Sequence, residues 1–182
     1  MKKEPEDKFE VLFVCTGNTC RSPMAEGILK KMLAEKGIKK FEVGSAGICS
    51  FENAPVSLFA RQAAGLRKID LSQHHSRQLT AKMLKQADLV LAMSQKHLDY
   101  IRSIDPQSHR KASLLKAFAR MHPPANEEQD GGVLFIKDPI GGRPEDYERS
   151  FVEIETELRR VLPEILRLCK GKTVSRRDGH DG

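Results

Sequence analysis

Hydrophobic residues follow two alternating patterns along the chain. Short, mainly apolar runs, which are typical of strands buried in a parallel sheet, occur at 11–14, 41–43, 89–93 and 112–118. Between them, apolar residues recur every three or four positions, and this spacing predicts amphipathic helices. The predicted helices lie between 22 and 37, 53 and 65, 80 and 86, 94 and 104, and 144 and 171. Strands that alternate with helices predict an α/β fold with helices on both faces of a parallel sheet.

The length of the chain fits a single domain, because 182 residues can bury one substantial core. We expect this domain to span 9–171, with a charged, flexible leader at 1–8 and a disordered tail at 172–182. The stretch 120–132 is rich in Pro, Asn, Glu and Gly and predicts a surface loop. Pro163 predicts a kink in the last helix.

Charge and cysteine content narrow the class of protein. The net charge of +6 suits phosphorylated or acidic protein partners, whereas aromatic residues make up only 5% and no nucleic-acid-binding module is recognisable. No apolar run reaches membrane-spanning length, and the charged N-terminus does not resemble a signal peptide. The four cysteines suggest no disulfide framework, and no Cys/His spacing suits a metal. We therefore expect a cytoplasmic monomer that needs no metal or other cofactor and binds neither nucleic acid nor membranes.

One stretch carries the chemistry. The first predicted strand runs into a loop and then a helix, with the sequence Cys-Thr-Gly-Asn-Thr-Cys-Arg-Ser-Pro at 15–23. Gly17 and Asn18 tolerate positive φ and therefore allow a sharp turn. Ser22 followed by Pro23 predicts a helix start, with the Ser22 hydroxyl as the cap. Such a loop directs backbone N–H groups into one concavity at the positive end of a helix dipole, which suits a tetrahedral anion.

The side chains of this loop predict phosphoryl transfer. Arg21 can hold two oxygens of the anion with its planar guanidinium. The same positive field should lower the pKa of Cys15 and make it a nucleophile near neutral pH, with the Ser22 hydroxyl as a donor to the thiolate. Together these groups indicate phosphoryl transfer through a cysteinyl-phosphate. The structural alternative, a buried core cysteine near a surface arginine, requires the other loop residues to occur by chance.

The stretch 15–26 resembles the signature of the low-molecular-weight protein-tyrosine phosphatases, and more narrowly the bacterial branch that includes protein-arginine phosphatases. The similarity extends to Ser-Ala-Gly at 45–47, His-Ser-Arg-Gln-Leu-Thr at 75–80, Ala-Asp-Leu-Val-Leu-Ala-Met at 87–93 and Asp-Pro at 138–139. It therefore covers about residues 9–170. The resemblance implies a doubly wound, four-stranded parallel sheet with the loop at the carboxyl end of a strand. It also implies a metal-independent phosphatase that acts on phosphorylated proteins.

Roles for individual residues follow from this resemblance. Cys15 is the expected nucleophile, and Asp138 is the expected acid that protonates the leaving atom and then the base that activates water. Ser45 and His75 are expected to support the loop near Asn18. The other histidines are expected to face solvent or to fill local hydrogen bonds: His74, His97, His109 and His122. The expected phosphate-binding residues, besides Arg21, are Thr16, Gly17, Asn18, Thr19, Cys20 and Ser22.

Three positions bear on the substrate, which the sequence leaves open. Thr19 lies where the tyrosine phosphatases of this family usually carry Ile or Leu, and Thr there is similar to the phosphoarginine-specific members. Phe51 falls at the position of an aromatic wall in the tyrosine phosphatases. Ile140 departs from both branches, which usually place an aromatic residue after Asp-Pro. We favour phosphoarginine over phosphotyrosine on this basis.

Cys20 also has two interpretations. It is either a small buried side chain or a thiol that forms a reversible disulfide with Cys15 under oxidation, as the family precedent implies.

Two other functions remain open. An arsenate reductase of the same fold would bind arsenate in the same cradle, but it needs a relay of two further cysteines. Beyond the loop the chain has only Cys49 and Cys169, which are not closely spaced. A non-catalytic phosphoprotein-binding module would need neither a reactive thiol nor Asp138.

Overall fold

The protein forms one parallel sheet, seen in a computed structural model that describes residues 8–119 and 134–177, with side chains up to 172. The strands are β1 (Phe9–Cys15), β2 (Phe41–Gly47), β3 (Leu89–Ala92) and β4 (Ala112–Leu114). They pair in parallel in the order β2-β1-β3-β4. The predicted four-stranded parallel sheet is confirmed, and β1 lies at its centre.

Helices cover both faces of this sheet, as predicted. They are α1 (Arg21–Glu35), α2 (Leu58–Gly65), α3 (Ala81–Gln86), α4 (Gln95–Ile104) and α5 (Pro144–Arg177), with a short 3₁₀ helix at Pro106–Arg110. Alternate residues of β1 point to opposite faces. Phe13 packs in the core that contains α1, α2 and α5, whereas Val14 packs in the core that contains α3 and α4. Burial on both faces explains why β1 is apolar without interruption from Val11 to Cys15.

The second strand is longer than the sequence predicts. β2 continues beyond Val43 to Gly47 because it pairs with β1 along its whole length, which places Gly47 opposite Cys15. A larger residue at Gly44 would displace the Arg77 guanidinium, which lies 2.5 Å from the position that a Cβ would occupy there. This extension brings β2 to the carboxyl end of β1, where the loop begins.

Two other elements are shorter than predicted. α2 begins at Leu58 rather than after Asn53, because Asn53 has a φ of 60° and Pro55 forms a β-bridge with His75. β4 ends at Leu114, after which the chain turns.

The last helix does not end at Gly171 as predicted, and the tail is helical as far as Arg177. The turn just beyond the predicted end is held by Lys172, whose Nζ donates to the Asp88 carboxylate at 2.6 Å and to the Lys8 carbonyl at 3.2 Å. These long-range contacts stabilise a turn that local sequence alone does not favour. The predicted leader up to residue 7, the loop at 120–132 and the tail at 178–182 lie outside the described residues.

Candidate active site

The loop between β1 and α1 lies at the carboxyl end of the central strand. Residues 16–20 connect Cys15, the last residue of β1, to Arg21, the first residue of α1. Asn18 adopts a left-handed conformation with a φ of 55°. The prediction that Ser22 caps the helix is wrong: α1 begins at Arg21, two residues before Pro23, so Ser22 lies in its first turn. Its hydroxyl is therefore free to point back towards Cys15.

Cys15 is buried beneath this loop. Its Sγ lies 2.9 Å from the Ser22 hydroxyl, and the Asn18 N–H donates to it at 3.3 Å. Burial raises the pKa of the Cys15 thiol, while the Ser22 hydroxyl, the Arg21 charge and the N–H groups of Ser22 and Asn18 oppose that rise. The predicted lowering of this pKa is therefore wrong. The expected donors are present, but desolvation outweighs them.

Asn18 holds the loop in shape through its buried side chain. Its Nδ2 donates to the Ser22 hydroxyl at 2.9 Å and to the Ser45 hydroxyl at 2.8 Å, and its Oδ1 accepts from the Arg77 N–H at 3.0 Å. Ser45 in turn donates to the Glu26 carboxylate at 2.6 Å. The structure thus places Ser45 against Asn18, where the family resemblance put it. A buried side chain with three hydrogen-bond partners fixes the loop before any ligand arrives.

The histidine that contacts the loop is His74, and the assignment of this position to His75 is wrong. His74 Nε2 lies 3.0 Å from the Asn18 carbonyl oxygen, so it must donate, and its Nδ1 lies 3.7 Å from the Glu26 carboxylate. Burial lowers the pKa of His74, and the nearby Glu26 charge opposes this. His75 is exposed and pairs with Pro55 through its backbone. Adjacent residues of an extended segment point to opposite sides, and the sequence does not say which side faces the loop.

Arg21 and Asp138 meet at the open side of the loop, although 117 positions separate them. Arg21 is 4% exposed. Its Nη1 donates to the Ile136 carbonyl at 3.1 Å, and its Nη2 donates to the Thr16 hydroxyl at 3.2 Å and forms an ion pair with Asp138. Its Nε is buried and has no hydrogen-bond partner among the described residues. A buried donor without an acceptor costs about 1–3 kcal/mol, so this N–H is available to an acceptor such as an oxyanion.

The surroundings offer no obvious metal ligands. Within 8–119 and 134–177, no group of three or more His, Cys, Asp or Glu residues is arranged to hold a metal ion.

In the same part of the chain, no helix combines the length and the apolar character needed to cross a membrane.

Comparison with known families identifies the family to which a protein with this loop belongs. The sequence model of the low molecular weight phosphotyrosine protein phosphatase family matches residues 10–172. The chain belongs to this family. It is a cysteine-dependent protein phosphatase, and the parallel sheet with a loop at the end of β1 is the fold of its relatives.

Relatives of this phosphatase come from both substrate branches. The protein-arginine-phosphatase of Bacillus subtilis (strain 168) is 35% identical over 156 residues, which cover 86% of this chain and 96% of the relative. A solved structure of the YwlE arginine phosphatase, a mutant with a phosphorylated active-site serine, has a TM-score of 0.77 at 32% identity and covers 88% of this chain and 99% of that one. A low molecular weight protein tyrosine phosphatase from T. tengcongensis has a TM-score of 0.76 at 34% identity, with 86% and 99% covered. Similarity alone therefore does not choose the substrate.

The predicted specificity residues of the phosphatase lie in different settings. Thr19 is half-buried in the loop, and its carbonyl accepts from the Ser57 N–H at 2.9 Å. Phe51 is 88% exposed and Ile140 is 66% exposed. The Ile140 N–H donates to Asp138 Oδ1 at 3.2 Å, which shapes the turn that carries the expected acid.

Cys20 is a buried free thiol whose Sγ lies 3.2 Å from the Ser57 hydroxyl and 3.9 Å from the Tyr147 hydroxyl. Burial raises the pKa of Tyr147, and the neighbouring Cys20 adds to the rise. Ser57 and Tyr147 are distant from Cys20 in sequence, and no local pattern indicates that they lie here. The disulfide between Cys20 and Cys15 remains a prediction.

His97 is a further residue that sequence reasoning missed. It is 1% exposed, and its Nε2 lies 2.9 Å from the hydroxyl of Thr16 in the loop. Its Nδ1 makes the expected local contact, 2.9 Å from the Ser94 hydroxyl. A usable signal was present: β3 neighbours β1, so residues that follow β3 reach the same end of the sheet as the loop.

Proposed function

We propose that this phosphatase removes phosphate from arginine residues of proteins through a cysteinyl-phosphate on Cys15, with phosphotyrosine as the competing substrate. One arrangement carries the mechanism. The Cys15 sulfur accepts from the Asn18 N–H. Arg21 Nε has no hydrogen-bond partner among the described residues, and the Arg21 guanidinium forms an ion pair with Asp138. Nucleophile, anion clamp and proton donor are thus within one small volume.

In the first step, the phosphoryl oxygens bind the loop N–H groups and Arg21, and they replace the Asp138 carboxylate on the guanidinium. The Cys15 sulfur forms a bond to phosphorus as the bond from phosphorus to the leaving atom breaks. The displaced Asp138 carboxylate takes up the proton that the Cys15 thiol loses, and it gives this proton to the leaving nitrogen or oxygen. The exposed turn after Asp138 leaves room for a large protein substrate.

In the second step, water attacks the cysteinyl-phosphate. Asp138 accepts a proton from the water, and the sulfur leaves as a thiolate. The Ser22 hydroxyl, at 2.9 Å from Sγ, donates to that thiolate as it forms. Phosphate then departs, Asp138 returns the proton to the Cys15 thiolate, and the Asp138 carboxylate pairs with Arg21 again.

Two observations support phosphoarginine as the substrate. The Thr19 backbone is held in the loop by the Ser57 N–H, so its branched, hydroxyl-bearing side chain extends from a fixed point beside the anion cradle. Phe51 and Ile140 are both largely exposed, so neither is held by packing as a rigid wall for a phenyl ring. The Bacillus relative, which is named a protein-arginine-phosphatase, adds support.

The test compares kcat/KM for matched phosphoarginine and phosphotyrosine peptides. We expect the unaltered protein to favour phosphoarginine, and Thr19→Ile to shift the ratio of the two values towards phosphotyrosine by about tenfold or more. Thr19→Val is the matched control, because it removes the hydroxyl but adds no length. A preference of the unaltered protein for phosphotyrosine would refute the assignment.

The two alternative functions, an arsenate reductase and a non-catalytic phosphoprotein-binding module, gain no support from the structure. Cys169 lies on α5 close to Lys40 and Asp88, which precede β2 and β3, and so it lies at the opposite end of the sheet from Cys15. An arsenate reductase relay through Cys169 would have to cross the sheet. Cytoplasmic location, a monomeric state and the absence of nucleic-acid or membrane binding remain predictions.

A further inference from the structure

A chain of hydrogen bonds links the anion clamp to a buried histidine on α4. Arg21 Nη2 lies 3.2 Å from the Thr16 hydroxyl, that hydroxyl lies 2.9 Å from His97 Nε2, and His97 Nδ1 lies 2.9 Å from the Ser94 hydroxyl. The chain starts at the loop after β1 and ends at the residue that precedes α4. It joins two segments that are distant in sequence.

The direction of these hydrogen bonds follows from the groups involved. A guanidinium only donates, so the Thr16 oxygen accepts from Arg21. Thr16 has a single hydroxyl hydrogen, and giving it to His97 Nε2 leaves the oxygen lone pairs facing Arg21. The ring hydrogen then lies on Nδ1 and is donated to Ser94. In the opposite tautomer, the Thr16 hydrogen would have no acceptor among the described residues.

We propose that His97 is a positioning residue for phosphate binding: by accepting the Thr16 hydrogen, it fixes the Thr16 oxygen as the acceptor that orients Arg21. Arg21 has three acceptors, namely the Ile136 carbonyl, Thr16 and Asp138. Bound phosphate competes for the contact with Asp138. The contacts with Ile136 and Thr16 then keep the guanidinium plane aligned, with Nε facing the oxyanion.

The charge state of His97 supports this role. Burial, together with the positive charges of Arg21 and Lys96, holds the pKa of His97 at about 4. The ring is thus neutral at physiological pH and retains an acceptor nitrogen. A protonated ring would have no acceptor and would place a second positive charge beside the clamp.

The experiment measures vanadate binding by calorimetry and aryl phosphate hydrolysis for His97→Leu, His97→Gln, Thr16→Val and the Leu/Val double variant. Leu cannot accept the Thr16 hydrogen, so vanadate affinity and kcat/KM should each fall by about tenfold. The amide oxygen of Gln reaches the position of Nε2 and should restore most of the loss. In the Thr16→Val background, His97→Leu should change either value by less than about twofold, because the linking hydroxyl is already absent.

A merely structural role for His97 gives different results. His97→Leu would then lower the melting temperature while vanadate affinity stays unchanged, or its effect would add in full to that of Thr16→Val. Either outcome would overturn the proposal.

The inference rests on the proposed function but can fail separately from it. A protein that binds vanadate and hydrolyses no phosphoprotein refutes the proposed function. The vanadate affinities of the native protein and the four variants still decide the role of His97. A native protein that does not bind vanadate refutes both.

Discussion

The buried, neutral His97 should make the stability of the fold depend on pH. Its pKa falls from an ordinary 6.5 to about 4, first because of burial and then because of Arg21 and Lys96. Between these two pH values, the unfolded chain binds a proton at this position and the folded protein does not. Lowering the pH through this window therefore favours unfolding.

The size of this effect follows from the two pKa values. One pKa unit corresponds to about 1.4 kcal/mol, so the change from 6.5 to about 4 corresponds to about 3 kcal/mol of the free energy of unfolding. The contribution is fully present above pH 6.5 and is lost as the pH falls to about 4. Because His97 is only 1% exposed, little solvent screening reduces it.

Urea unfolding followed by circular dichroism measures the effect in native protein and in His97→Gln. Carboxylates and other histidines titrate equally in both proteins, so only the difference between their free energies of unfolding matters. Going from about pH 7 to about pH 4, the native protein should lose about 3 kcal/mol more than His97→Gln. His109→Gln is the matched control, because His109 is exposed and bonds only the Pro106 carbonyl among the described residues. Parallel pH profiles for native protein and His97→Gln would refute the reasoning.

Three further predictions concern the loop. Ser22→Ala should raise the pH midpoint for alkylation of Cys15 by iodoacetamide, because the hydroxyl opposes the rise of the thiol pKa; an unchanged midpoint would contradict this. Asn18→Ala should lower the free energy of unfolding by about 2–4 kcal/mol in urea titrations, since it loses two buried hydrogen bonds and one partly buried one and keeps a positive φ; a loss below about 0.5 kcal/mol would argue against it. His74→Ala should reduce kcat/KM for aryl phosphate by about tenfold while His75→Ala leaves it within about twofold, and the reverse order would restore the sequence-based assignment.

Local sequence was enough to predict the centre of the fold. The apolar run of β1, the glycine and asparagine of the loop and the helical spacing after Pro23 are neighbours along the chain, so each constrains the next. The same is true of the helix predicted between 80 and 86, which is observed as α3 and whose start is capped by the Thr80 hydroxyl accepting from the Met83 N–H at 3.3 Å.

What the sequence missed depends on long-range packing. The end of α5 depends on Lys172 reaching Asp88 across the fold, and the pKa of Cys15 depends on how completely the loop buries it. The choice between His74 and His75 depends on which face of an extended segment turns towards Asn18. None of these follows from local propensity, because each requires knowing which distant residues meet.

Capturing the covalent intermediate tests the role of Cys15 most directly. Protein mixed with a phosphoarginine peptide is quenched in acid within the first turnover, digested and analysed by mass spectrometry, with Cys15→Ala as the control. We predict phosphate on the peptide that contains Cys15 and neither phosphate nor turnover in Cys15→Ala. Hydrolysis that proceeds without a phosphorylated Cys15, or that persists in Cys15→Ala, would contradict it.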